Sequence, residues 1–176
     1  DNQRLIYIKQ SYIESFENKK NTNLTTTNKE NKKYIDSNNY VTPKNKFKLL
    51  NGKDSVSQDI ATILMLADLL EMSVRKDSIK SILEDFKNSN QKIDLITYGK
   101  IISSLGLQVS VSLFRKEDLT RISLPVLIMW DNSLRLIIEV KQNSFILASP
   151  VDGIVEIDAS QIENQYSNGI EYLIFN

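Results

Sequence analysis

Histidine and cysteine, the side chains that most often do chemistry near neutral pH, are both absent from this 176-residue chain. Without histidine the commonest general base and the commonest metal ligand are missing. Without cysteine there is no thiolate nucleophile, no disulfide and no sulfur-bound metal. Carboxylate, lysine, serine and tyrosine chemistry is what is left. The carboxylates are poorly arranged for it. Asp59 and Asp68 are nine residues apart, about 900° of helical rotation, which places them on opposite faces of a helix. The adjacent pairs Glu84-Asp85 and Glu117-Asp118 read as solvated surface. No carboxylate cluster has calcium-loop spacing, and five glycines scattered singly make no phosphate-cradling loop. Binding residues are easier to find. Trp130, Phe114, Phe145, Tyr98 and Tyr172 offer aromatic faces, and Arg135 offers a guanidinium that can hold a chain carbonyl or carboxylate. Each aromatic is equally a candidate for simple core packing. Arg135 is equally a candidate ion-pair partner of Asp131 or Glu139.

The elements that must position these residues fall into two unequal parts. The whole chain balances 22 Lys+Arg against 22 Asp+Glu, with 41% hydrophobic and 25% charged residues, a globular composition and a poor platform for nucleic acid. Residues 1–53 hold 11 basic residues against 5 acidic ones, however, and 10 of the 17 asparagines. Residues 19–53 are rich in Asn, Lys and Thr, and their middle lacks the apolar area to offset the entropy of ordering it; they read as a linker or extension. Their lysines can also serve an acidic partner or anionic headgroups. Ahead of them, within residues 1–18, Leu5, Ile6, Ile8, Tyr12, Ile13 and Phe16 recur at roughly helical spacing. That spacing predicts an amphipathic helix for the main domain, a partner or a membrane face. No apolar run reaches the ~18–20 residues of a membrane span, and the start does not read as a signal peptide.

From residue 54 to 176 the patterning predicts one domain. Ser55 or Ser57 caps a first helix bearing Ile60, Ile63, Leu64, Leu66, Ala67 and Leu70, apolar on most sides and therefore central. A second helix starts near Asp77 with Ile79, Ile82, Leu83 and Phe86. A third starts near Asp94 and closes at Gly106 as a C′ glycine. Alternation over Leu107–Leu113 is a strand, and a short polar helix or turn follows at Lys116–Leu119. Leu124–Trp130 is an apolar run suited to a buried strand, with Pro125 at its start where a missing N–H does no harm. Further strands are expected at Leu134–Val140, Asn143–Ala148, Ile154–Ile157 and Ile170–Phe175, with turns at Asp131-Asn132-Ser133 and Ser149–Gly153. A short helix is expected at Ala159–Tyr166. Three helices followed by an antiparallel sheet of five or six strands make an α+β fold.

This order, together with Ile122–Trp130, the turn into Arg135–Ile138, the Ser149-Pro150-Val151-Asp152-Gly153 corner and Tyr166–Gly169 before the last strand, resembles the papain-like domain of the bacteriocin-processing (double-glycine leader) cysteine peptidases. Those domains sit at the N-terminus of bacterial ABC exporters. The resemblance covers residues ~54–176. It implies a papain-like fold and a Cys–His–Asp triad in which the thiolate attacks, the imidazole takes the proton and the carboxylate orients the imidazole. In this sequence the Cys position falls on Gln58, or on Ile60 if the family's Asp-Cys pair is matched at Asp59. The His position falls on Arg135, with Leu134 one residue away, and the Asp position falls on Ser149. A permanently protonated arginine is no base.

The resemblance therefore implies a peptidase-like domain that no longer cuts. Such domains occur in the type I secretion transporters that export RTX toxins and adhesins, and the loss of His together with Cys is closer to the adhesin exporters. There the domain holds the unfolded secretion substrate, with Trp130, Arg135, Phe114 and Tyr98 as the expected binding residues here. The expected partners are that substrate and the transporter's own ATPase and transmembrane domains, on the cytoplasmic face of the inner membrane. No cofactor or metal is expected in this domain; ATP and Mg belong to the presumed full-length transporter. Asn176 falls where a first transmembrane helix of such a transporter would begin, so a longer parent protein is expected. The alternative is a module that docks on the ATPase domain and regulates it.

Overall fold

The computed structural model describes residues 32–36, 47–88 and 93–175. The helix expected within residues 1–18 lies outside them. The described residues all belong to one unit, Asn31–Asn176. Three helices come first: α1 (Ser55–Leu69), α2 (Lys76–Asn88) and α3 (Leu95–Ser104). α1 is capped by Asp54, not by Ser55 or Ser57. The Asp54 carboxylate accepts from the Ser57 N–H at 3.0 Å, and Ser57 Oγ in return accepts from the Asp54 N–H at 3.0 Å. This reciprocal box satisfies two of the helix's orphan donors. α1 buries Ile60 through Ile63 and Met65 through Ala67, nearly its whole circumference, which makes it the central helix. α2 buries only Ile79 and Leu83, one turn apart, and shows a Lys80–Glu84 pair to solvent. It begins at Lys76, which places Asp77 inside the first turn, where its negative charge is stabilised by the positive end of the helix dipole. α3 starts at its Asp94 cap, whose side chain accepts from Thr97 N–H at 2.8 Å. It ends at Leu105, with Gly106 at φ +101° carrying the chain out of the helix.

The sheet has seven antiparallel strands: β1 (Lys32–Ile35), β2 (Val109–Phe114), β3 (Val126–Trp130), β4 (Ser133–Val140), β5 (Ser144–Ser149), β6 (Gly153–Asp158) and β7 (Ile170–Phe175). Their spatial order is β1-β6-β5-β4-β3-β7-β2. A 3₁₀ helix, Lys116–Arg121, follows β2, and α4 (Ser160–Gln165) follows β6. Pro125 stands immediately before β3, joined to Leu124 by a cis peptide bond. The seventh strand, β1, lies inside the stretch read as a linker. It pairs in register with β6, from Lys32 opposite Ile157 to Ile35 opposite Ile154. An edge strand needs only one partner and little apolar area, so Lys32-Lys33-Tyr34-Ile35, with only Lys32 and Ile35 partly buried, suffices despite its polar surroundings. Phe47, in the same stretch, is buried in the core.

Alternate residues of the strands fill two cores on opposite faces. The helix face packs Leu127, Leu134, Leu136, Ile146, Ala148, Ile154 and Leu173 against α1, α2 and α3. The other face packs Val126, Ile128, Trp130, Ile137, Phe145, Leu147 and Val155 with Phe114, Ile162 and Ile170. At about 25 cal/mol per Å² of apolar surface, burial of this kind supplies most of the drive to fold. No helix among the described residues is long and apolar enough to cross a membrane.

Candidate functional site

The β3–β4 connection is a two-residue hairpin in which Asp131 (φ 50°) and Asn132 (φ 59°) are both left-handed, the conformation of a type I′ turn. It brings Asn132 and Ser133 to face the first turns of α1. Between them lies a cavity of about 250 Å³ lined by Gln58 and Asp59 of α1, Leu83 and Lys87 of α2, Tyr98 of α3, and Met129, Asn132 and Ser133 of the hairpin. Ser55, Val56 and Ile93 complete the wall.

The α1 end of this cavity is held by close backbone packing. Gly52 donates its N–H to the Pro150 carbonyl at 3.3 Å. A Cβ on Gly52 would stand 2.4 Å from the Gln58 nitrogen, so only glycine permits this approach. Thr62 Oγ1 lies 3.0 Å from the Gln58 carbonyl and 3.4 Å from the Leu134 carbonyl, which ties α1 to β4.

A carboxylate stands at the centre. Tyr98 donates its hydroxyl to Asp59 Oδ2 at 2.7 Å. Burial pushes the Asp59 carboxyl above its ordinary range, while the Tyr98 hydrogen bond and the charges of Arg135 and Lys87 pull it back. Burial also pushes the Tyr98 hydroxyl far up, and the charge of Asp59 adds to that, so Tyr98 is a neutral donor. Lys87 is exposed at the rim, with its Nζ 3.5 Å from Ser55 Oγ. Among the described residues no group of three or more His, Cys, Asp or Glu is placed to hold a metal ion.

The residues expected at the site separate. Gln58 is in the first turn of α1 and lines the cavity, and so does Tyr98. Arg135 does not. Directly opposed residues share a sheet face, and Arg135 opposes Ile128, so its side chain leaves the sheet on the face away from the helices. It is 7% exposed. Its Nη1 donates to the Leu134 carbonyl at 3.1 Å and its Nη2 lies 3.9 Å from Asp152 Oδ2, a partner the sequence reading did not name. Burial lowers its pKa, and Asp152, Asp131 and Asp59 oppose that in turn. Asp131 itself pairs with Lys32 at 3.3 Å. Ser149 is buried in the β5–β6 corner. Its Oγ donates to Asp152 Oδ2 at 3.0 Å and accepts from the Asp152 N–H at 3.0 Å. The two lie at the same end of the domain as Gln58, behind the sheet and away from the open cavity.

Trp130 and Phe114 are not surface binders. Trp130 is 2% exposed and packs its ring against Phe145 and Tyr166 at 5.4 and 5.2 Å. Phe114 is 1% exposed and meets Tyr172 edge-on at 5.3 Å. Even positions of β3 face the second core, which sends Trp130 inward and Met129 to the cavity. Sequence reasoning gave Asn132 and Ser133 no role beyond the turn, and gave Asp59 none beyond its spacing from Asp68 and an alternative match to the family's Asp-Cys pair. The Asp59–Tyr98 contact spans 39 residues of sequence, beyond any periodicity.

A helix N-terminus set against the ends of an antiparallel sheet, with this element order, defines the papain-like cysteine-peptidase fold. The chain matches the peptidase C39 family over residues 46–175 and belongs to it. Among solved structures, it is similar to a double-glycine-motif protease from an AMS/PCAT transporter in complex with its leader peptide, at 17% identity and a TM-score of 0.58, over 73% of this chain and 89% of that one. It is also similar to the peptidase domain of Streptococcus ComA, a bifunctional ABC transporter involved in quorum sensing. That match has 10% identity and a TM-score of 0.54, over 73% of this chain and 97% of the other. No curated protein matches it in sequence.

Proposed function

We propose that this C39 domain no longer cleaves peptides and instead binds an unfolded polypeptide delivered to an ABC exporter of the type I secretion kind, with RTX-type proteins as cargo. One observation carries the reading. A fold built around a thiolate and an imidazole occurs in a chain with no cysteine and no histidine, with Gln58 in the first turn of the helix that faces the cleft. The cavity wall carries neither cysteine nor histidine: Ser55 accepts from Lys87 Nζ at a long 3.5 Å, and Tyr98 holds its proton. The wall does offer what an extended chain needs, with hydrogen-bonding groups on Gln58, Asn132 and Ser133 beside apolar Val56, Leu83 and Met129. The leader peptide bound to the AMS/PCAT protease shows that a domain of this fold can hold a peptide. ATP and Mg would be handled by a separate ATPase domain.

The test is titration of the 176-residue chain with a calcium-free, unfolded RTX segment and with its calcium-folded form, followed by NMR shifts. We expect shifts at the cavity residues with the unfolded form only. A double-glycine leader peptide should come through prolonged incubation uncut; cleavage, or indifference to the unfolded segment, refutes the proposal.

A further inference from the structure

Asp59 is unusually placed for a carboxylate. It is half-buried on the wall of the cavity, and among the described residues its one hydrogen-bond donor is the neutral Tyr98 hydroxyl on Oδ2. No lysine or arginine among the described residues stands within 4.0 Å of it, although seven other ion pairs form elsewhere. The two nearest charges are held off. Arg135 is spent on the Leu134 carbonyl and Asp152 behind the sheet, and Lys87 reaches Ser55 at the rim. A partly desolvated carboxylate whose counter-charges act only from a distance is costly, and the cost falls when a cation comes into contact with it. The walls around it are Val56, Leu83, Ile93 and Met129, an apolar sleeve suited to an aliphatic stem. At about 250 Å³ the cavity lies below the ~300–1,000 Å³ usual for drug-sized ligands and suits a single side chain.

We infer that this cavity receives one basic side chain of the bound polypeptide, its stem between Leu83 and Met129 and its cationic head on the free oxygen of Asp59. The inference rests on the binding role proposed above and adds what that site selects: a lysine or arginine in an otherwise unfolded segment. Tyr98 is the positioning residue, since its hydroxyl fixes the Asp59 carboxylate.

The test uses the full 176-residue chain and three unstructured heptapeptides of glycine, serine and alanine, alike except for a central lysine, norleucine or glutamate. Affinities and shift maps come from NMR. The lysine peptide is expected to bind roughly tenfold more tightly than the other two, the size of one charge-assisted hydrogen bond, with shifts at Tyr98 and Met129. Asp59→Asn should erase the preference, and Lys87→Gln should preserve or sharpen it. Equal affinities for the three peptides, or no shift at Tyr98 and Met129 with the lysine peptide, overturn the inference on the wild-type chain alone. Unfolded segments that still bind without that preference leave the binding role standing; lysine selectivity without binding of any unfolded RTX segment overturns that role instead.

Discussion

Replacing Arg135 by methionine separates what its charge does from what its bulk does. Its side chain is 9% exposed, and it has only the hydrogen bond to Leu134 and a 3.9 Å approach to Asp152. The hydrogen bond is worth about 1.5–3 kcal/mol and the loose ion pair, whose carboxylate is 32% exposed, about 0–1 kcal/mol. Against these stands a desolvation penalty of several kcal/mol for a buried ion. Removing the guanidinium orphans neither partner outright: the Leu134 carbonyl keeps a share of the Thr62 hydroxyl, whose nearer acceptor is the Gln58 carbonyl, and Asp152, 32% exposed, keeps Ser149 Oγ. Arg135→Met should therefore lie within about 1 kcal/mol of wild type, or about 2–4 °C in Tm for a chain of this size. Arg135→Ala also removes the stem and leaves a cavity, so it should cost about 2–4 kcal/mol more. Urea denaturation at pH 7 measures both. A loss above about 3 kcal/mol in the methionine variant, with an unchanged m-value, would refute the reasoning and make the guanidinium the clasp of the β5–β6 corner.

Other substitutions probe the rest of the domain. Trp130 Nε1 is the one buried side-chain donor without a partner among the described residues, so Trp130→Phe should cost much less than the ~3–5 kcal/mol of Trp130→Ala; similar losses by calorimetry would show that the indole N–H is satisfied. The folded pKa of Asp59 is raised above 3.8, so its contribution to stability is fully present below that value and is lost as pH rises through the folded pKa. Asp59→Asn should then gain stability relative to wild type between pH 4 and pH 7, and the opposite slope in paired urea melts would contradict the burial of this carboxylate. Gly52→Ala forces a Cβ against the Gln58 backbone and should cost at least about 2 kcal/mol, lost mainly at the α1 amides in hydrogen exchange; uniform amide protection would contradict it.

Periodicity made the helices and six of the strands legible, because each buries one face and repeats it. Asp94 and Gly106 marked the ends of α3 for the same local reasons. The cap of α1, expected at Ser55 or Ser57, is Asp54, because Asp54 and Ser57 hold each other and either type alone reads as a cap. β1 was illegible: four residues amid lysines and asparagines carry no strand signal until β6 supplies their partner. At the site, Gln58 came from the resemblance and Tyr98 from its aromatic ring, and both line the cavity. The resemblance put Arg135 at the cleft, but the hairpin expected to turn over Asp131-Asn132-Ser133 turns over two residues, with Ser133 already in β4, and Arg135 emerges on the other side of the sheet. Trp130 and Phe114 fell to the same parity of alternation.

The two packed layers on either side of the sheet draw on neither Gln58 nor Ser133. The polar part of the cleft wall is thus separate from the packed layers, whereas Leu83 and Tyr98 belong to both. A substitution at Gln58 or Ser133 therefore alters what the cleft presents to a guest while the two layers that hold the cleft open keep their packing.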